Sequence, residues 1–111
     1  MRLWIDDVRP MPDDYDLWAK TAIEAKVYIG SNLDITHVSF DHDLGDENGT
    51  GYDVACFVEV ISESDYWLRN RPEVKPIIKP FTWDIHSANP VGSKRIEQAM
   101  KNAERFWNME T

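Results

Sequence analysis

At 111 residues, 42% of them hydrophobic and 12% aromatic, the chain has material for one domain around one core. Its formal net charge of −8 excludes the dense basic patches by which proteins grip long stretches of DNA or RNA. One cysteine excludes an internal disulfide, and no run approaches the ~20 apolar residues of a membrane span, which together point to the cytoplasm.

In chain order, residues 2–6 (RLWID) form a short apolar run that stops at carboxylates and passes into the breaker-rich 8–14 (VRPMPDD), a strand followed by a loop. Residues 15–19 (YDLWA) suit a second short strand. Thr21 and Glu24 then have capping-box spacing, and Ala22, Ile23, Ala25, Lys26, Val27 and Ile29 follow at helical spacing up to Gly30. Residues 35–41 (ITHVSFD) carry the β-branched and aromatic content of a central strand, which also ends at an acid before the loop 42–49 (HDLGDENG).

Thr50 and Asp53 are spaced to cap the next helix, over about 52–67, with Val54, Phe57, Val58 and Ile61 on one face. Cys56 lies in this apolar run and is expected in the core. Three prolines make 69–80 a connector with at most an edge strand at Ile77 and Ile78. Residues 81–86 (FTWDIH) read as the last strand, 87–92 (SANPVG) as a turn, and 93–107 as a helix with Ile96, Met100 and Ala103 in register. Strands alternating with helices predict an α/β fold, an open and mostly parallel sheet of four to five strands covered by helices.

Ligands of open α/β sheets collect outside the carboxyl ends of the strands. Here the first strand delivers Asp6, Asp7 and Arg9 to that edge, the third Asp41, His42 and Asp43, and the last His86, Ser87 and Asn89. Carboxylates gathered without counter-charge repel one another, so such a cluster calls for a cation. Oxygen ligands suit a hard divalent ion such as Mg²⁺ shared with phosphate oxygens, which predicts a phosphate-bearing ligand. His42 and His86 at the same edge are candidates for proton transfer.

Each feature also has a plainer explanation. Adjacent aspartates after a strand often only bind turn amides. Asp46 and Glu47 fit a solvated loop, and His37, at the start of a strand, fits a structural role. Asn89 and Ser93 suit helix caps, and the last helix would then point amides at an anion. Lys94 and Arg95 oppose that helix's dipole, which a bound anion would offset. Trp4 and Trp83 lie in strands and need indole partners if buried.

Asp6-Asp7 after the first strand, Asp41 after the third and Ser87-Ala88 after the fourth resemble the receiver domains of two-component signalling. That resemblance implies a flavodoxin-like three-layer architecture. It makes Asp6 and Asp7 the metal-binding pair, Asp41 the phosphoacceptor, Asp43 the position that offers a metal its carbonyl, and Ser87 the phosphate-binding hydroxyl. The chain departs from receivers in two ways. The stretch between Asp7 and Tyr15 is too short for the usual first helix, and no fifth strand with its lysine follows, for which Lys94 is a candidate substitute.

LWIDDVRP (residues 3–10), SFDHDLG (39–45), GTGYDVA (49–55) and IHSANPVG (85–92) are similar, in order, to the cyclic-phosphate processing receiver family. That likeness implies hydrolysis of a cyclic phosphate on a nucleotide or RNA end. On this reading Asp6, Asp7, Asp41 and Asp43 hold Mg²⁺ or Mn²⁺. Arg9, Ser87, Asn89 and Lys94 bind the substrate. His42 and His86 act as acid and base, and Asp41 is a ligand or a nucleophile. The competing reading is a non-enzymatic receiver-like module that binds a nucleotide or accepts phosphate on Asp41. No membrane and no long duplex is expected as partner, and no oligomeric state is assigned.

Overall fold

Alternation of side chains along each strand decides which residues meet the core. In the computed structural model, which describes residues 1–31 and 33–109, strand β1 is Arg2–Ile5, β2 Leu17–Ala19, β3 His37–Phe40 and β4 Thr82–Ile85. All neighbours pair in parallel in the order β2-β1-β3-β4. Leu3, Ile5, Ala19, Val38 and Phe40 turn to one face and are buried. Each large apolar side chain so placed contributes about 1.5–3 kcal/mol relative to exposure.

Three helices supply the other half of the core: α1 (Ala22–Gly30), α2 (Gly51–Leu68) and α3 (Pro90–Asn108). The predicted start signals operate. Thr21 Oγ1 accepts from the Glu24 amide, and Thr50 and Asp53 form a reciprocal capping box. The last helix begins before the expected Ser93, because Asn89 takes the cap, accepting from the Gly92 amide, and Pro90 is preorganised for the first turn. Among the described residues no strand forms at Ile77 and Ile78. Their amides bond the Asp65 carboxylate instead of a neighbouring strand. Cys56 is a free thiol, half-buried at the margin of the core where full burial was expected.

The connections from β2 to β3 and from β3 to β4 advance in the same direction across the sheet. Right-handed crossovers therefore put α1 and α2 on one face, and α3 packs beside α2. The β1–β2 connection contains no helix, as the short spacing predicted. Of the three layers expected, the one on the far face is this connection: Tyr15 is buried there, edge-on to Trp4 at 5.2 Å and beneath the guanidinium of Arg2. That face carries Arg2, Trp4, Trp18, His37, Ser39, Thr82 and Asp84, so it is polar and aromatic. Among the described residues, no helix is long and apolar enough to cross a membrane.

Candidate active site

Register builds the site. Ile5 pairs with Phe40 and Phe40 with Ile85, so the next residues, Asp6, Asp41 and His86, stand side by side just past the ends of their strands. Three further backbone bonds hold them there: Asp6 N to Ala19 O at 3.0 Å, Asp41 N to Ile5 O at 3.0 Å and His86 N to Phe40 O at 2.9 Å. One ligand atom from each of Asp6, Asp41 and His86 lies within 4.8 Å of the others.

Asp6 is only 1% exposed, and its two oxygens have separate tasks. Oδ1 accepts from the amides of Val8 and Arg9, both at 2.8 Å, which turns the chain after β1. Oδ2 faces His86 Nε2 at 3.0 Å. One oxygen of this aspartate thus forms the turn, and the other faces the neighbouring histidine.

At Asp41, Oδ1 accepts from the following amide of His42 at 2.9 Å. Burial raises this carboxyl above its ordinary 3.8, the charge of Asp6 adds to the rise, and the His42 amide, His86 and Arg9 act in the opposite direction. Glycine is required nearby: a Cβ on Gly51 would meet the Asp41 carbonyl oxygen at 1.9 Å, so only glycine lets the start of α2 approach this close.

His86 is held from three sides. Its ring stacks on Trp4, with centroids 3.8 Å apart and planes 6° from parallel. Its Nδ1 meets Ser39 Oγ at 2.7 Å, opposite the nitrogen that faces Asp6. Arg9 folds over the same strand end and donates through Nη1 to the His86 carbonyl, while Trp4 Nε1 donates to the Arg9 carbonyl at 3.0 Å.

His42 forms a second group. Its Nδ1 lies 2.9 Å from Asp43 Oδ1, and Asn89 Nδ2 donates to Asp43 Oδ2 at 3.3 Å. The His42 bond holds the Asp43 carboxyl below its ordinary 3.8, against desolvation and with help from Asn89. Gly92 packs against the ring of this histidine, since a Cβ there would come within 2.3 Å of its Cγ.

The other residues singled out from the sequence divide. The carboxylates of Asp7 and Asp43 do not belong to the three-ligand group of Asp6, Asp41 and His86. Asp7 lies against Gly45, where a Cβ would meet its Oδ2 at 3.3 Å. Asp43 is committed to His42 and Asn89. Ser87 sits at the sheet edge, its Oγ accepting from the Asn89 amide at 3.0 Å. Lys94 lies on the exposed flank of α3, in a shallow depression it shares with Glu97, Gln98, Lys101 and Asn102. Arg95 is placed over the ring of Tyr52 at 6.0 Å. His37 is tied to Thr82 and Asp84, in keeping with a structural role.

Sequence reasoning missed Ser39, Asp84 and the stacking role of Trp4. The signal was present as a two-residue period: Trp4 and Asp6, Ser39 and Asp41, Asp84 and His86 each share a strand face.

A family model described as the cyclic-phosphate processing Receiver domain matches residues 1–102. No curated protein and no solved structure matches the chain. The chain belongs to the cyclic-phosphate processing receiver family.

Proposed function

We propose that this protein is a metal-dependent phosphoesterase that opens a cyclic phosphate on a nucleotide or RNA end, using Asp6, Asp41 and His86 to hold the metal. The observation that carries this reading is the convergence of two carboxylates and an imidazole nitrogen within 4.8 Å. The donor set fits a divalent cation: Asp6 Oδ2 remains available after Oδ1 has satisfied two amides, and His86 Nε2 faces it. One nitrogen among oxygens suits Mn²⁺ better than Mg²⁺. When bound, such an ion would offset the charge that develops on phosphate oxygens during the displacement.

The chain's own residues supply the rest. Arg9, exposed beside His86, and Ser87 bind non-bridging phosphate oxygens through charge-assisted and hydroxyl hydrogen bonds. His42 donates its Nδ1 proton to Asp43, which leaves Nε2 as a base. It takes a proton from water as the water oxygen bonds to phosphorus and the bond from phosphorus to one ribose oxygen breaks. The leaving oxygen is protonated from solvent at this open edge, and the product is a phosphate monoester. His86, a candidate acid or base from the sequence, is on this reading a ligand, because its Nε2 points into the carboxylate pair.

The second reading, a non-enzymatic module that accepts phosphate on Asp41, is favoured by the place of Asp41 at the end of β3 in a receiver-type sheet. A panel of 2′,3′- and 3′,5′-cyclic nucleotides and cyclic-phosphate RNA ends, assayed with Mg²⁺, Mn²⁺ or chelator, separates the two. Metal-dependent ring opening, lost in Asp41→Asn and His42→Ala, is the expected outcome. Metal binding without turnover on any member, or a trapped phospho-aspartate without product, would overturn the esterase in favour of the module.

A further inference from the structure

We propose that Ser39 and Asp84, anchored by His37, are positioning residues that set the proton of His86 on Nδ1 and thereby free Nε2 to bind the metal. The inference rests on the preceding reading of His86 as a ligand. His37 and Ser39 lie on β3, Asp84 on β4 and His86 just past its end, and the register pairs His37 with Thr82 and Ser39 with Asp84. Their side chains therefore form one row across the helix-free face, running from the start of β3 to the active-site edge.

Proton counting gives the direction of the chain. Ser39 is 1% exposed and has a single hydroxyl hydrogen. That hydrogen is donated to Asp84 Oδ1. Ser39 Oγ can then meet His86 Nδ1, at 2.7 Å, only as an acceptor, so Nδ1 must carry a proton. Asp6 Oδ2 faces the other nitrogen, Nε2, at 3.0 Å, so with Nδ1 committed to Ser39 it is at Nε2 that a cation replaces the hydrogen between imidazole and carboxylate. Metal-binding imidazoles commonly give their second N–H to a carboxylate or carbonyl, which fixes both tautomer and ring orientation. Here a serine hydroxyl stands between the imidazole and the carboxylate. The second oxygen of Asp84 meets His37 Nε2 at 2.9 Å, and His37 Nδ1 meets Thr82 Oγ1 at 2.7 Å, so the acceptor of the Ser39 hydroxyl is held in place.

The test has two readouts, neither of which is catalysis: the presence of a hydrogen on His86 Nδ1 by ¹⁵N NMR of the metal-free protein, and Mn²⁺ affinity by calorimetry. Asp84→Ala removes the acceptor, so Ser39 turns its hydrogen to His86 Nδ1, which then carries none, and the ring keeps its hydrogen on Nε2, where a cation has to displace it. Mn²⁺ affinity is expected to fall about 10- to 100-fold. Asp84→Asn removes the same charge but keeps an acceptor, and Ser39→Thr keeps the hydroxyl; both are expected to stay close to wild type. Asp84 is exposed, so its two variants leave the core intact. A hydrogen retained on Nδ1 together with wild-type Mn²⁺ affinity in Asp84→Ala would overturn the positioning role alone. A wild-type protein that does not bind Mn²⁺ would overturn the ligand reading and this inference with it.

Discussion

The indole of Trp4 and the imidazole of His86 lie face to face, 3.8 Å between centroids, and the same indole donates its N–H to the carbonyl of Arg9. A single strand residue thus orients the histidine and ties down the loop that carries the arginine. Trp4→Leu keeps an apolar group but loses both contacts. The stacked pair contributes about 0.5–1.5 kcal/mol and the hydrogen bond about 1 kcal/mol, so a loss of ~1–3 kcal/mol is expected in urea denaturation. Mn²⁺ affinity should fall in the same variant; an unchanged affinity would show that Trp4 supports the fold and not the site.

Gly92 allows α3 to begin against the His42 ring. Gly92→Ala places a methyl where the imidazole lies, so His42 must move while Asp6, Asp41 and His86 are untouched. Misplacement of a reacting group by about 1 Å can cost on the order of 100-fold in rate. Turnover is expected to drop on that scale with metal affinity preserved. Equal loss of both would mean that α3 had shifted as a whole.

Asp41 makes stability depend on pH in a direction opposite to that of a salt-bridged acid. Its folded-state pKa is raised, by burial first and by Asp6 second. Between the ordinary 3.8 and the folded value, the native state holds more proton than the unfolded state, so stability falls as pH rises through this window. Asp41→Asn carries no such charge. In chelator it is expected to be more stable than wild type at neutral pH and to lose that advantage below the window, while ring opening is abolished. Denaturation midpoints across pH 3 to 8 check the sign, and a variant less stable at neutral pH would contradict it.

The capping box of α2 is remote from the chemistry in role but not in place, since Thr50 precedes the glycine that meets Asp41. Thr50→Ala is expected to cost about 1 kcal/mol of stability. Because the helix start also sets the approach to Asp41, a modest fall in turnover should accompany it. Thr50→Ser should restore both, which a comparison of melting temperature and rate would establish.

Much of this protein is written in local sequence. Helix starts follow from Thr21, Thr50 and Asn89, because a side-chain oxygen three residues before an unpaired amide acts regardless of the rest of the chain. Acids at the ends of β1 and β3 could be placed because apolar runs end where the chain leaves the sheet. Family membership was legible in four ordered blocks of residues, and the missing first helix in the short spacing before Tyr15.

Tertiary structure alone decided how those pieces combine. Parallel register aligned Asp6, Asp41 and His86 as neighbours and left the Asp7 and Asp43 carboxylates outside the group, a difference that adjacency in sequence cannot encode. The common direction of two crossovers left one sheet face without helices, and there Ser39 and Asp84 lined up behind His86. Lys94, close to the site in sequence, falls on the outer flank of α3 because helical rotation turns it away. The physical reason is range: caps and turns depend on bonds within a few residues, whereas a site across three strands depends on pairings between residues far apart in the chain, which exist only once the sheet has formed.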